Sequence, residues 1–189
     1  MSRKKILVDM DGILANLLKQ WLEDYNREYE DNLRMQDITT WDMHEHVKPE
    51  VGRDVYKIPN RLGYFDKTPP IPGAVAGFRA LQRAGHEVVV CSSPYNDDSA
   101  RAKQAWCARY LNTRWRDVTL THKKSWFGLA ADVIIDDKPS TIKEFHDLGK
   151  EVITIAYPYN KSVEQYCALR AQNMMKPQDA WEQIVDHLT

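Results

Sequence analysis

The chain has 189 residues, with 26 lysines and arginines against 27 aspartates and glutamates. That length suits one domain, or one domain with a small insertion, and can bury a full core without disulfides or structural metal. A net charge of −1 argues against a general binder of nucleic-acid polymers, so any phosphate substrate must be held by a local cluster. Cys91, Cys107 and Cys167 are far apart and odd in number, which points to reduced thiols in a cytoplasmic compartment.

At the N-terminus, Ser2-Arg3-Lys4-Lys5 runs into Ile6-Leu7-Val8, and Asp9 interrupts the apolar run. A membrane span needs about 20 apolar residues and a signal peptide a longer apolar region, so neither is expected here. Lys5–Asp9 reads instead as a buried strand that ends in a carboxylate. Residues 16–70 then lack a convincing strand but carry Trp21, Tyr25, Tyr29, Trp41, Tyr56, Tyr64 and Phe65, with Leu18, Trp21, Leu22 and Tyr25 on one helical face. The stretch is too long for a simple connection. It is expected to be a helical insertion, and Pro69-Pro70-Ile71-Pro72-Gly73 is its stiff return. The implied division is a core of 1–15 and 71–189 and a cap of 16–70.

Past that return, a helix is expected over Ala74–Ala84, closed by Gly85, and a strand over Glu87–Ser92. A helix over Asp98–Leu111 and a short strand over Asp117–Thr121 follow. Asp132–Asp136 is another strand ending in a carboxylate. A helix over Ser140–Leu148 opens on a serine cap and stops at Gly149, Glu151–Ile155 is a fifth strand, and Pro177–Leu188 is a last helix opened by proline. Strands covered on both faces and alternating with helices imply an α/β fold with a mostly parallel sheet.

Ligands of such sheets bind outside the carboxyl ends of the strands. There the sequence delivers Asp9-Met10-Asp11-Gly12, Ser92-Ser93-Pro94, Thr121-His122-Lys123-Lys124 and Asp136-Asp137-Lys138. Clustered carboxylates hold Mg²⁺ through hard oxygen ligands. A carboxylate can also act as nucleophile toward a phosphate ester, a second as acid and base, while lysines and hydroxyls hold the remaining oxygens.

Each piece has a plainer reading. Ser92-Ser93-Pro94 could be a strand exit, Asp136-Asp137 a helix cap, and Lys123-Lys124 a solvated pair. His44 and His46 read as exposed side chains of the insertion and not as a metal site, since no third ligand is near in sequence. Cys91 reads as a buried strand residue. Trp21, Tyr25 and Tyr29 read as core of the insertion, and Trp41 and Phe65 as the aromatics placed to touch a base.

Taken in order, Val8-Asp9-Met10-Asp11-Gly12-Ile13-Leu14-Ala15, Ser92, Lys124 and Asp136-Asp137 resemble the four motifs of haloacid-dehalogenase-type (HAD) phosphatases. Gly63-Tyr64-Phe65, Pro69–Ala74, Cys91-Ser92-Ser93-Pro94, Lys103 followed by Trp106, Leu120–Ser125 and Ile135–Pro139 narrow the resemblance to the 5'(3')-deoxyribonucleotidases. It runs from residue 5 to about 160 and leaves the last thirty residues unmatched.

The resemblance implies a Rossmann-like three-layer core, a small helical cap inserted after the first strand, and Mg²⁺. It implies Asp9 as nucleophile and Asp11 as acid and base that also offers the metal its backbone carbonyl. Asp136 and Asp137 would complete the metal site, with Asp137 the direct ligand. Ser92, Ser93, Lys103 and Lys124 match phosphate-contacting positions, and Lys124 is favoured over Lys123 by the spacing to Ser125. Lys138 falls where the family often has an arginine near the substrate, and Leu17 where some members carry an aromatic that stacks on the base, so both bear on base preference. The implied substrate is a nucleoside monophosphate, with a homodimer as the implied assembly. A phosphatase for another small phosphate ester, a phosphotransferase and a non-catalytic phosphate-binding regulator are the alternatives.

Overall fold

In the computed structural model, residues 2–114, 117–172 and 179–189 are described. Six parallel strands stand in the order β3-β2-β1-β4-β5-β6. These are β1 (Lys5–Val8), β2 (Glu87–Ser92), β3 (Val118–Leu120), β4 (Val133–Ile135), β5 (Glu151–Ile155) and β6 (Leu169–Ala171). The helices are α1 (Leu17–Tyr29), α2 (Ala74–Arg83), α3 (Asp97–Leu111), α4 (Ser125–Gly128), α5 (Pro139–Asp147) and α6 (Asp179–Leu188).

Strand periodicity sorts the core into two layers. Ile6, Val8, Val88, Val90, Val133, Ile135 and Ile153 face one cluster with Phe78 and Leu81 of α2, Trp106 of α3, and Trp181 and Ile184 of α6. Leu7, Cys91, Ile134 and Val152 face the opposite cluster with Ile142 and Phe145 of α5. Each such buried side chain contributes about 1.5–3 kcal/mol of transfer free energy, so helices are held on both faces of the sheet.

Three expectations need correction. A sixth strand, β6, extends the sheet beyond β5, pairing Ile153 with Leu169 and Ile155 with Ala171. Ser140 does not cap α5: Lys138 occupies the cap position and Pro139 starts the helix, its fixed φ and missing N–H both suiting a first turn. His44 and His46 are half-buried and not exposed. His44 Nδ1 lies 3.2 Å from the Tyr56 hydroxyl, and His46 Nε2 lies 2.8 Å from the Thr40 hydroxyl. The expected start of the last helix at Pro177 lies outside the described residues.

Between β1 and α2 the described chain forms α1 and four short 3-10 stretches, Met35–Asp37, Met43–Glu45, Gly52–Lys57 and Phe65–Lys67. Leu22 and Tyr25 of α1 are buried, and Leu18 and Trp21 pack against the same cluster. Asn16 N donates to Pro69 O and Ile71 N to Leu14 O, both at 2.8 Å, so the outgoing and returning connections run side by side. No helix among the described residues is long and apolar enough to cross a membrane.

Candidate active site

The ladder continues one bond past the strands. Asp9 N donates to Ile135 O at 2.8 Å and Asp136 N to Ile153 O at 3.1 Å, so the two strand-end aspartates stand on adjacent strands. After Asp9 the chain folds back sharply, with Leu14 N and Ala15 N both donating to Met10 O. Two side chains pin this loop: the Tyr157 hydroxyl donates to Gly12 O and the Trp181 indole to Ile13 O. Gly12 sits at φ 74°, and a Cβ there would overlap the Asp137 carboxylate. Only glycine serves both demands without strain.

Asp9, Asp136 and Asp137 are all buried, and one carboxylate oxygen from each lies within 4.8 Å of the others. Lys124, also buried, places Nζ 2.8 Å from Asp9 Oδ1 and 2.7 Å from Asp136 Oδ2. Burial works to lower the Lys124 pKa, but Asp136 and Asp9 outweigh it and hold the ammonium charged. Burial pushes the Asp136 carboxyl up to about 6 against the pull of Lys124. Burial, then the charges of Asp9 and Asp136, push Asp137 well above the usual carboxylate range.

Asp11 turns the other way. Its Oδ2 lies 2.6 Å from Nζ of the buried Lys103, which also donates to Ser92 Oγ at 2.8 Å and Ser93 O at 3.2 Å. Burial raises the Asp11 carboxyl more than Lys103 lowers it. The Phe65 ring lies 5.1 Å from the same ammonium.

The structure thus brings together Asp9, Asp11, Ser92, Lys103, Lys124, Asp136 and Asp137, with Phe65 against Lys103. It separates the lysine pair: Lys123 is exposed and lies over the Trp126 ring. Ser93 takes part through its backbone, since its hydroxyl donates to Thr121 O. Lys138 is exposed with Nζ 5.5 Å above Trp41, itself edge-on to Tyr159. Leu17 is half-buried and packs against the main cluster, with no described contact to the carboxylates. Cys91 is buried and free, its thiol pushed up to about 12 by burial, which suits a strand residue and not a nucleophile.

Two lysines among four carboxylates leave an excess of negative charge, and Asp137 Oδ1 is buried with no hydrogen-bond partner. An all-oxygen set with such an orphaned atom fits a hard divalent cation such as Mg²⁺. A cavity of about 710 Å³ between α1 and the Arg61–Pro69 segment is not this site. Its charges are largely paired with one another, Lys19 with Glu23 and Arg27 with Asp24, and no strand-end residue lines it.

Sequence reasoning missed Tyr157, Tyr159 and Asn160, which follow β5. The Tyr159 hydroxyl donates to Asp137 Oδ2 at 2.5 Å, and Asn160 Nδ2 donates to Asp137 O at 3.3 Å. The strand-end test that found the other residues, applied to the fifth strand, would have reached them.

Solved structures share this architecture. A haloacid dehalogenase-like hydrolase from Streptococcus pneumoniae superposes with a TM-score of 0.62 at 10% identity over 99% of each chain. A HAD family hydrolase from Deinococcus radiodurans, with bound phosphate and sodium, gives 0.56 at 16% identity over 89% of this chain and 90% of that one. At such identities the likeness establishes the fold: the chain has the architecture of HAD hydrolases.

Sequence relatives are more specific. The 5'(3')-deoxyribonucleotidase of Clostridium acetobutylicum is 26% identical over 189 residues, all of both chains, and that of Bacillus subtilis 27% identical over 185 residues, 96% of each. The family described as 5' nucleotidase, deoxy (pyrimidine), cytosolic type C protein matches residues 3–186, well past the point near residue 160 where the motif resemblance ends. With nearly the whole chain matched and the strand-end carboxylates gathered at one sheet edge, the chain belongs to the family of 5' nucleotidase, deoxy (pyrimidine), cytosolic type C proteins, on a fold shared with HAD hydrolases.

Proposed function

We propose that the chain hydrolyses nucleoside monophosphates, 5'(3')-deoxyribonucleotides by preference, to nucleoside and phosphate. The observation that carries this reading is the division of labour at the end of β1. Asp9 is buried beside Lys124, while Asp11 is turned to Lys103.

In this reading Asp9 attacks phosphorus and forms an aspartyl-phosphate as the ester bond to the nucleoside oxygen breaks. Asp11 protonates that leaving oxygen and then takes a proton from the water that hydrolyses the acyl-phosphate. Lys124 offsets the charge of Asp9 and Asp136, which lowers the repulsion an approaching phosphate meets. Ser92, Ser93, Lys103 and Lys124 are the proposed phosphate contacts.

Asp9, Asp136, Asp137 and the backbone carbonyl of Asp11 would hold Mg²⁺. When bound, Mg²⁺ screens the phosphoryl oxygens and aligns them for in-line attack.

Residues 16–70 act as a cap over the core formed by 1–15 and 71–189 and exclude water during the first step. Phe65 against Lys103 and Trp41 near Lys138 support a base lying on that side, with Leu17 at the start of α1 a further contact. Free Cys91, Cys107 and Cys167 support a reducing compartment, the cytoplasm.

The test is phosphate release from ribo- and deoxyribonucleoside 5'- and 3'-monophosphates, each with Mg²⁺ and with chelator. Metal-dependent release favouring deoxynucleotides supports the reading. Release from none of them, with an aryl phosphate still cleaved, would retain the Asp9 chemistry and overturn the substrate assignment.

A further inference from the structure

After β5 the chain runs Ala156-Tyr157-Pro158-Tyr159-Asn160 into a 3-10 stretch, Pro158–Tyr166. Pro158 fixes φ at the turn, and Asn160 ties the turn to the sheet. The buried Asn160 amide donates to Thr154 Oγ1 at 3.1 Å and Ile155 O at 2.9 Å, while its oxygen accepts from Tyr157 N at 3.1 Å. Arg170 on β6 donates to Tyr157 O at 2.8 Å. The two tyrosines therefore leave a braced backbone.

Their rings are braced as well. Tyr157 and Tyr159 stack with centroids 5.0 Å apart and planes 7° apart, and Trp41 packs edge-on to Tyr159 at 5.5 Å. The Tyr159 ring cannot swing without breaking both contacts. Its hydroxyl ends 2.5 Å from Asp137 Oδ2, within the range of a charge-assisted O–H···O⁻ bond. An aspartate side chain has two rotatable bonds, so fixing one oxygen fixes the other. With Oδ2 held by Tyr159, Asp137 Oδ1 is left buried with no hydrogen-bond partner among the described residues, and Asp137 is one of the three grouped carboxylates, with Asp9 and Asp136.

Resting on the reading of this cluster as the Mg²⁺ site, we propose that Tyr159 is the positioning residue that aims Asp137 Oδ1 at the metal and thereby sets the affinity for it. Partners of metal-binding carboxylates act in this way, and losing one typically costs about 10–100-fold in metal affinity or activity. Tyr159 does not touch the phosphate; it acts through Asp137.

Tyr159→Phe removes the hydroxyl and keeps the ring that Tyr157 and Trp41 pack against. Calorimetric titration with Mg²⁺ should give a dissociation constant about 10–100-fold weaker than wild type. Hydrolysis at low Mg²⁺ should fall in step and recover as Mg²⁺ is raised, with the nucleotide KM at saturating Mg²⁺ unchanged. Equal Mg²⁺ affinity in the two proteins overturns the inference, and so does a loss of turnover that saturating Mg²⁺ fails to recover. Wild-type protein that binds no Mg²⁺ overturns the metal-site reading itself and the inference with it. Should Tyr159→Phe not fold, wild-type chain labelled at tyrosine Cζ replaces it. The Tyr159 resonance must then move on adding Mg²⁺, and its indifference overturns the inference.

Discussion

Asp9 and Asp11 stand two residues apart yet face different lysines, and that separation is what a nucleophile and an acid require. Asp9→Asn keeps the shape of the side chain and removes the oxyanion proposed to attack phosphorus. Turnover should fall by at least about 10³-fold, with the circular dichroism spectrum and melting temperature retained. Asp11→Asn leaves the backbone carbonyl in place, so Mg²⁺ affinity should hold while turnover falls. An active Asp9→Asn enzyme would sink the mechanism, and wild-type turnover in Asp11→Asn would refute the acid/base role. Lys124 carries a stability term of its own. Lys124→Met would leave Asp9 and Asp136 buried without their cation, and breaking a buried pair from one side costs about 3–5 kcal/mol. Chemical denaturation in chelator should show that loss; a variant as stable as wild type would mean the carboxylates find other partners. The strand-end aspartates were legible because a carboxylate closing an apolar strand has few other reasons to be there. Lys124 was separable from Lys123 only through the spacing to Ser125. Tyr159 was within reach of the strand-end test only as a residue following β5; its role was not legible, because Tyr-Pro-Tyr reads as turn packing and the bond to Asp137 depends on where β5 lies beside β4.

Among the elements, α2 and α6 meet where Gly77 faces Trp181. A Cβ on Gly77 would run into the indole ring, which is buried and anchored by its bond to Ile13 O. Gly77→Ala therefore sets two effects against each other. Helix propensity favours alanine by about 1 kcal/mol, and overpacking a filled core costs about 1–3 kcal/mol. Since the indole also holds the loop behind Asp11, overpacking should win. A melting temperature several degrees lower is expected, and a rise would show that α6 yields. Glu151, at the start of β5, joins Lys4 beside β1 at 2.7 Å and His187 of α6 at 2.8 Å. Burial acts to raise its pKa, but hydrogen bonds from Lys4 and His187 outweigh burial and lower it below the ordinary 4.5. A folded value below the unfolded one adds stability that is present above 4.5 and lost as pH falls through the folded value. The difference in urea midpoint between wild type and Glu151→Gln should therefore be full above about pH 5.5 and shrink as the pH falls below 4.5. A difference that does not shrink over that window would show that the ion pairs do not carry it. Five of the six strands were legible from β-branched runs. Leu169–Ala171 was not, because three residues with an arginine in the middle carry no strand signal, and pairing with β5 makes the strand.

For the molecule as a whole, the proposed cap and core are distinct in sequence but not in burial. One hydrophobic cluster runs from Ile6, Phe78 and Trp181 to Leu22, Tyr25, Val55 and Ile58. Helix α3 adds polar ties, with the Trp106 indole donating to Thr68 O at 2.8 Å and Arg109 to Asp66 O at 3.0 Å. Neither part can unfold without exposing apolar surface of the other. The aromatics of 16–70 announced an insertion but not this continuity, because a side chain buried against its own segment and one buried against the sheet leave the same mark in sequence. Unfolding should accordingly be one cooperative transition. The calorimetric enthalpy should equal the van't Hoff value, at about 0.7 kcal/mol per residue near 60 °C, or roughly 130 kcal/mol for the chain. Two resolved transitions, the smaller matching the share of residues in 16–70, would show that the cap folds alone. Closure over a nucleotide would then be a movement of independent bodies. A single transition instead confines it to small rotations about the paired connections at Asn16–Pro69 and Leu14–Ile71, since a larger opening would tear the shared cluster.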